Sequence, residues 1–306
     1  MTAFAVPLAL AADMLVGEPA ALWRRTGHPI TWIGALISRL DARLNNGTRA
    51  RGVLALAALS AVCFFAGGLI EALLPGGPVG VLLTAAVASI FIAHKSLIEH
   101  VSAVAAAPDL ATARARVGLI VGRDTAEMDA GAVSRAALES LGENFSDGVV
   151  APVFWFAVLG LPGLILYKGI NTADSMIGHK TPRHKAFGWA AARTDDAANY
   201  VPARLAAVLI ALQRPHVWRR WSAVAASARR HVSPNAGWPE AALAVALKVE
   251  LGGPRRYQGR MLDGVRLNRG GRTARLDDIA RGTALIGRAG LTQIGLYTVL
   301  AVLSAL

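Results

Sequence analysis

Apolar residues run through this chain in long stretches, separated by short segments that hold most of its charge. A membrane-crossing helix needs about 20 mostly apolar residues. Residues 52–74 and 78–98 meet that length, and a third run fills 283–306. The turn at 75–78 has no Lys or Arg, whereas the flanks 23–51 and 99–147 have several. Cations collect in cytoplasmic loops, so these two spans predict a hairpin with its turn outside and both ends in the cytoplasm. Residues 1–16 are also apolar. Their first cation is Arg24, so the basic leader of a cleaved signal peptide is missing, and the run predicts a short uncleaved membrane helix.

Residues 149–168 are long enough to span, but Gly160-Leu161-Pro162-Gly163 interrupts them. Proline removes a backbone donor and glycine weakens a helix, so the chain is expected to turn there. A re-entrant hairpin buried inside the bundle, with its two polar ends on one face, is the reading adopted; a kinked full span is its rival. Residues 201–212 are too short to span and predict a buried or interfacial helix. The Arg-rich stretch 213–282 predicts a peripheral layer. Asp124-Thr125-Ala126-Glu127 has the form of a capping box opening a helix to about Leu141, with Arg135, Glu139 and Glu143 on one face. The fold class expected is an all-α polytopic integral membrane protein forming a single domain over 1–306. It is a helical bundle with a re-entrant broken hairpin and a cytoplasmic peripheral helical layer.

Composition agrees. Of 306 residues, 54% are hydrophobic and only 17% charged, against about a quarter charged in soluble domains. The formal net charge of +12 follows from basic cytoplasmic loops. Nucleic acid is not expected as a partner, since no helix-turn-helix, zinc-finger or RNA-binding aromatic signature is present. One cysteine, Cys63, rules out an internal disulfide.

Three polar clusters bracket the broken segment: 142–148, 168–180 and 193–199. Each mixes carboxylates with asparagine where a membrane segment begins or ends. Carboxylates at the bilayer border are costly unless paired or bound to a cation. Asp147, Asp174, Asp195 and Asp196 together suggest Mg²⁺, which bridges one or two carboxylates to substrate phosphates. Lys180, Arg183, His184, Lys185 and Arg193 are near in sequence and suited to phosphate. His179 and His184 are acid/base candidates. The competing reading makes Asp147 and Asp195 helix N-caps, gives Asp174 and Asp196 arginine partners, and leaves His94 and His100 at the interface. No P-loop or G-x-G-x-x-G is present.

The stretches 135–155 and 160–196 closely resemble the adenosylcobinamide-phosphate synthase family of cobalamin biosynthesis. So do Ser233-Pro234-Asn235-Ala236-Gly237-Trp238-Pro239-Glu240, Leu251-Gly252-Gly253-Pro254, and Asp13 with Gly17-Glu18-Pro19, His28-Pro29 and Gly34. The resemblance implies a membrane ligase; the inner membrane is its expected place, and the cation-rich loops predict that its active face is cytoplasmic. Such an enzyme joins aminopropanol, or its phosphate, to the free propionate of adenosylcobyric acid, using ATP through an acyl phosphate. On that reading Asp147, Asp174, Asp195 and Asp196 are assigned to Mg²⁺, and Lys180, Arg183 and Arg193 to phosphate. Asn144, Asn171, Ser175 and Asn199 are assigned to substrate, Glu143 or His179 is the base, and Asp174 belongs to the catalytic set. A lipid bilayer is the expected surrounding; a homo-oligomer and contact with other corrinoid-pathway enzymes are left open. A membrane Mg²⁺-dependent phosphotransferase or prenyltransferase, and a transporter, are the alternatives.

Overall fold

The computed structural model describes every residue except Met1, Glu18, Pro19, Lys180 and Gln258. In chain order its helices begin with α1 (Thr2–Val16), α2 (Ala20–Thr26), α3 (Pro29–Leu44), α4 (Arg49–Leu73) and α5 (Gly77–Ser89). There follow α6 (His94–Ala105), α7 (Leu110–Gly118) and α8 (Ala130–Phe145), then a π-helical turn at Ser146–Val150 and α9 (Ala151–Ile177). Next come α10 (Trp189–Ala198), α11 (Tyr200–Leu212), α12 (Pro215–Arg219), α13 (Trp221–Ala228) and α14 (Gly237–Leu247), and short strands precede α15 (Leu276–Leu303). Among the described residues, four helical stretches are long and apolar enough to cross a membrane: Arg49–Leu73, Gly77–Ala105, Ala130–Ile177 and Leu276–Leu303. The fold is that of an all-α polytopic membrane protein.

The chain divides into two compact units. One comprises Met1–Ala93, Ala151–Asn199 and Ile294–Leu306; the other comprises His94–Val150 and Tyr200–Gln293.

In the first unit α4 packs along α9, and small residues set the separation. A Cβ on Gly67 would lie 2.6 Å from Pro162 Cα, and one on Gly169 would lie 2.6 Å from Cys63 Sγ. Close backbone approach through small residues is how helices associate in lipid, where apolar burial gives little drive. Within α9 the chain doubles back at Gly160, whose φ of 67° and ψ of −157° are not helical. The contacts prove the reversal. A Cβ on Gly163 would sit 2.6 Å from Trp155 O, whereas eight residues of straight helix would separate them by about 12 Å. Ala151 and Tyr167 meet in one buried cluster beside Trp155. The break frees backbone donors, and Glu71 Oε2 accepts from Leu161 N–H at 3.2 Å. The second arm runs past 168 to Ile177, so the polar segment after it is helical.

In the second unit α14 is buried along nearly its whole length and packs against α8, α11 and α13. The expected helical layer over 213–282 is only partly helical: β1 (Val249–Gly252), β2 (Arg255–Tyr257), β3 (Arg260–Leu262), β4 (Arg266–Leu267) and β5 (Arg272–Thr273) occupy its middle. They form a sheet of order β4-β1-β5 and a β2-β3 pair. Positive φ at Lys248, Gly252, Gly253 and Asn268 is incompatible with continuous helix. The helix expected to open at Asp124 opens at Ala130 instead, capped by Asp129, whose Oδ1 accepts from Ala132 N–H at 2.6 Å. Asp124 accepts from Gly259 N–H at 2.8 Å. His94 is buried, its Nε2 3.4 Å from Ile286 O.

Candidate functional site

Two helices of the first unit build a polar centre. On α9, Asn171, Asp174 and Ser175 fall at helical spacing; on α10 lie Asp195 and Asp196, with Asn199 at its C-cap. A hydrogen-bonded chain joins them. Tyr167 Oη donates to Asn199 Oδ1 at 2.9 Å, Asn199 Nδ2 donates to Asp195 Oδ2 at 3.0 Å, and Asn171 Nδ2 donates to Asp195 Oδ1 at 3.2 Å. Both oxygens of Asp195 are thereby held by neutral amides, with no cationic partner among the described residues. Burial, and then the charge of Asp174, push its carboxyl up to about 6 against the pull of the two asparagines. Asp196 adds further negative charge. Asp195 is therefore no N-cap; it lies inside α10 and is buried.

The Asp174 carboxylate is placed by a glycine. A Cβ on Gly178 would fall 1.9 Å from Asp174 Oδ1, and Gly178 N–H donates to Asp174 O at 2.7 Å. His179, exposed, acts electrostatically on Asp174. Beside this centre is an apolar pocket of about 270 Å³ lined by Trp155, Leu166, Tyr167, Ile170 and Ala198, among others. Trp155 is fixed by its Nε1 donating to Ala198 O at 3.1 Å.

Among the described residues no three His, Cys, Asp or Glu side chains form a ready-made metal cage. Mg²⁺ does not ask for one, since it keeps water and substrate oxygens on most positions. Asp174, Asp195 and Asp196 lie close enough for each to add to the charge cost of another, which leaves oxygen donors on two neighbouring helices.

The remaining expected residues have varied settings. Arg193 is 3.6 Å from Asp196 and largely exposed. Arg183 Nη2 donates to Asp41 Oδ2 at 2.6 Å, and His184 lies 3.3 Å from the same carboxylate. Burial works to raise the Asp41 carboxyl, but hydrogen bonds from Arg183, Asn45 and His184 bring it below its usual range. Ser175 Oγ donates to Asn171 O at 3.0 Å. Lys180 lies outside the described residues, as do Glu18 and Pro19 of the N-terminal motif. In the second unit, Asn144 Nδ2 donates to Ser140 O at 2.9 Å, and Asp147 lies in the π-helical turn, a form frequent at functional sites.

A second polar centre, to which sequence reasoning assigned no role, lies wholly in the second unit. Glu139 Oε1 accepts from Gly252 N–H at 2.6 Å, while its Oε2 pairs with Arg123 at 2.6 Å and Arg255 at 3.3 Å. Arg255 also reaches Glu240 at 4.0 Å. Burial, then the charges of Glu139 and Glu143, hold Glu240 well above the usual carboxylate range. Burial likewise lowers His231, so its 3.9 Å approach to Glu240 joins two groups that favour their neutral forms. The segments 135–155, 233–240 and 251–254 thus meet at one point. The spacing of Glu139 on α8 and the glutamate closing the 233–240 motif were the available signals.

A family profile described as CobD/Cbib protein matches residues 6–286. The chain belongs to this family. A Rhodobacter capsulatus protein named "Cobalamin biosynthesis protein CobD" is 49% identical over 302 residues, covering 96% of each chain. A protein of the same name from a Sinorhizobium species is 45% identical over 313 residues and 97% of each. One from Brucella suis is 46% identical over 281 residues, 87% of this chain and 86% of its own. No solved structure matches. Membership of the family gives the chain a role in cobalamin biosynthesis.

Proposed function

We propose that this chain is a membrane ligase that forms the amide between aminopropanol, or aminopropanol phosphate, and the free propionate of adenosylcobyric acid. Amide formation from a carboxylate and an ammonium is uphill in water, so ATP is the expected co-substrate. The propionate oxygen attacks the terminal phosphoryl group, giving an acyl phosphate and ADP; the free amine then displaces phosphate and loses a proton. The observation that carries this reading is the mutual crowding of the Asp174, Asp195 and Asp196 carboxylates, which raise one another's charge cost in the segment most similar to the family.

Asp174 and Asp195 would hold Mg²⁺, with Asp196 adding charge beside them. Bound there, the cation would withdraw negative charge from phosphate oxygens. Asn171 and Asn199 keep Asp195 oriented. Arg193, exposed at the rim, is the described cation best suited to the phosphates. His179, next to Asp174, is the group suited to take the amine proton. The apolar pocket beside Trp155 would exclude water from an activated carboxyl.

The test uses purified protein with adenosylcobyric acid, Mg-ATP and either amine donor, comparing wild type with Asp174→Asn. Amide product and ADP in equal amounts, lost by at least 100-fold in the variant with its melting curve unchanged, are expected. A neutral amide is a far poorer Mg²⁺ ligand than a carboxylate. Turnover near wild type in Asp174→Asn would remove the metal assignment. Absence of substrate-dependent ATP hydrolysis in wild type would favour a transporter or a phosphotransferase.

A further inference from the structure

Between Asp196 and Glu240 the sequence has no carboxylate, yet it carries six arginines. Arg204 is used internally: its guanidinium lies 3.5 Å from the centre of the Tyr200 ring and 4.8 Å from that of Trp238. The other five, Arg214, Arg219, Arg220, Arg229 and Arg230, are exposed. None of these five is in an ion pair among the described residues. They flank α12 and α13, where Trp218, 43% exposed, stacks on Trp221 with ring centres 5.3 Å apart.

The second unit also sets the level of this face. Gln213 Nε2 donates to Thr292 Oγ1 of α15 at 2.9 Å, and that hydroxyl donates to Arg288 O at 3.0 Å. Arg288 is the last charged residue before an uncharged tail that runs to Leu306. The basic face therefore begins one residue from a contact with a helix long enough to cross a membrane, beside the point where that helix's charge ends. Exposed tryptophan among unpaired arginines at that level has the chemistry of the headgroup region.

We propose that the face formed by the end of α11 with α12 and α13 seats anionic phospholipid headgroups, holding this layer on the bilayer surface. The partner is a lipid carrying net negative charge on its phosphodiester. A soluble acidic protein would satisfy the arginines but would not explain Trp218 or the junction with α15. This inference does not depend on the ligase reading, because no residue of the face belongs to the proposed catalytic centre.

The full chain, with Cys63→Ala and a single cysteine at the exposed position Ala226, would carry a fluorophore in nanodiscs of phosphatidylcholine containing about 30% phosphatidylglycerol. Quenching by phosphatidylglycerol spin-labelled near its headgroup should be at least twofold stronger than by phosphatidylcholine with the same label. The preference should vanish in about 0.5 M salt, which screens exposed charges within a few ångströms. It should vanish also when the five exposed arginines are replaced by glutamine. If that variant fails to fold, Arg219→Gln with Arg220→Gln should reduce the preference by about half. Equal quenching by both lipids in the parent protein, or an unchanged preference in the variants, would overturn the proposal. So would displacement of the labelled lipid by polyglutamate at equal charge, which would assign the face to an acidic protein.

Discussion

Asp195 is a carboxylate in a place that disfavours its charge, and this gives it a measurable signature. Its folded value of about 6 stands above the ordinary 3.8, so between those values the folded state holds more protons than the unfolded one. Stability linked to this group is therefore greatest below about pH 4 and falls as pH rises through 6, by about 3 kcal/mol in all. Metal-free wild type should lose stability over that range relative to Asp195→Asn. Millimolar Mg²⁺ should restore it above pH 6 and do little at pH 4.5, where the carboxyl keeps its proton. Denaturant melts across pH with and without Mg²⁺ give the answer; parallel curves for the two proteins would show that Asp195 bears no such burden. Gly178 makes a companion test. A methyl there would meet Asp174 Oδ1 at 1.9 Å and the Asp174 backbone oxygen at 2.7 Å. Gly178→Ala should thus cost at least tenfold in turnover by turning the carboxylate away, and should also lower the melting temperature, because the backbone at Asp174 must shift.

The broken helix is the element whose sequence said most and whose geometry said more. Gly160, Pro162 and Gly163 announced a break, but not that Glu71 of α4 would reach the freed Leu161 amide. No local pattern encodes a contact between positions 90 apart in the chain. The same holds for the strands at 249–273, which are two to four residues long and too short for a period-2 signal. Helix spacing on α9 was legible once the segment was taken as helical, and Asn199 stands four residues from Asp195; the pairing of Asp195 with Asn171 required knowing that α10 lies against α9. Gly160→Ala should cost at least 1–3 kcal/mol, because its φ and ψ belong to glycine and its Cβ would lie 2.7 Å from Glu71 Oε2. Gly76→Ala, at negative φ with nothing within 4 Å, should be close to neutral. Glu71→Leu should cost about 1–3 kcal/mol for the unsatisfied Leu161 donor. Thermal melts in one detergent rank the three, and a neutral Gly160→Ala would mean that the reversal is not glycine-dependent.

For the molecule as a whole, charge pattern predicts which side each loop faces, and packing says which loops must lie apart. The sequence argument puts the turn at 75–78 outside because it has no cation. Packing in the first unit supplies a ruler. At one end of α4 a Cβ on Gly52 would fall 1.9 Å from Phe187 O; towards the other end, Gly67 packs on Pro162 and Glu71 meets Leu161. From Gly52 to Glu71 the helix rises about 28 Å, close to the ~30 Å hydrocarbon thickness. The segment around Phe187 and the turn at 75–78 must then lie on opposite sides of any bilayer that α4 crosses. In a Cys63→Ala background, a cysteine at the exposed Gly76 should react with an impermeant maleimide in intact cells. One at the exposed Lys185 should react only after permeabilisation. Because the two positions belong to one packed unit, labelling of both from outside would refute the reading of α4 as a span. A simple exchange, Lys185 outside and Gly76 inside, would keep α4 in the membrane and invert the protein. That outcome would put Asp174 and Asp195, one short loop from Lys185, on the side away from cytoplasmic ATP, and the ligase mechanism would fall with it.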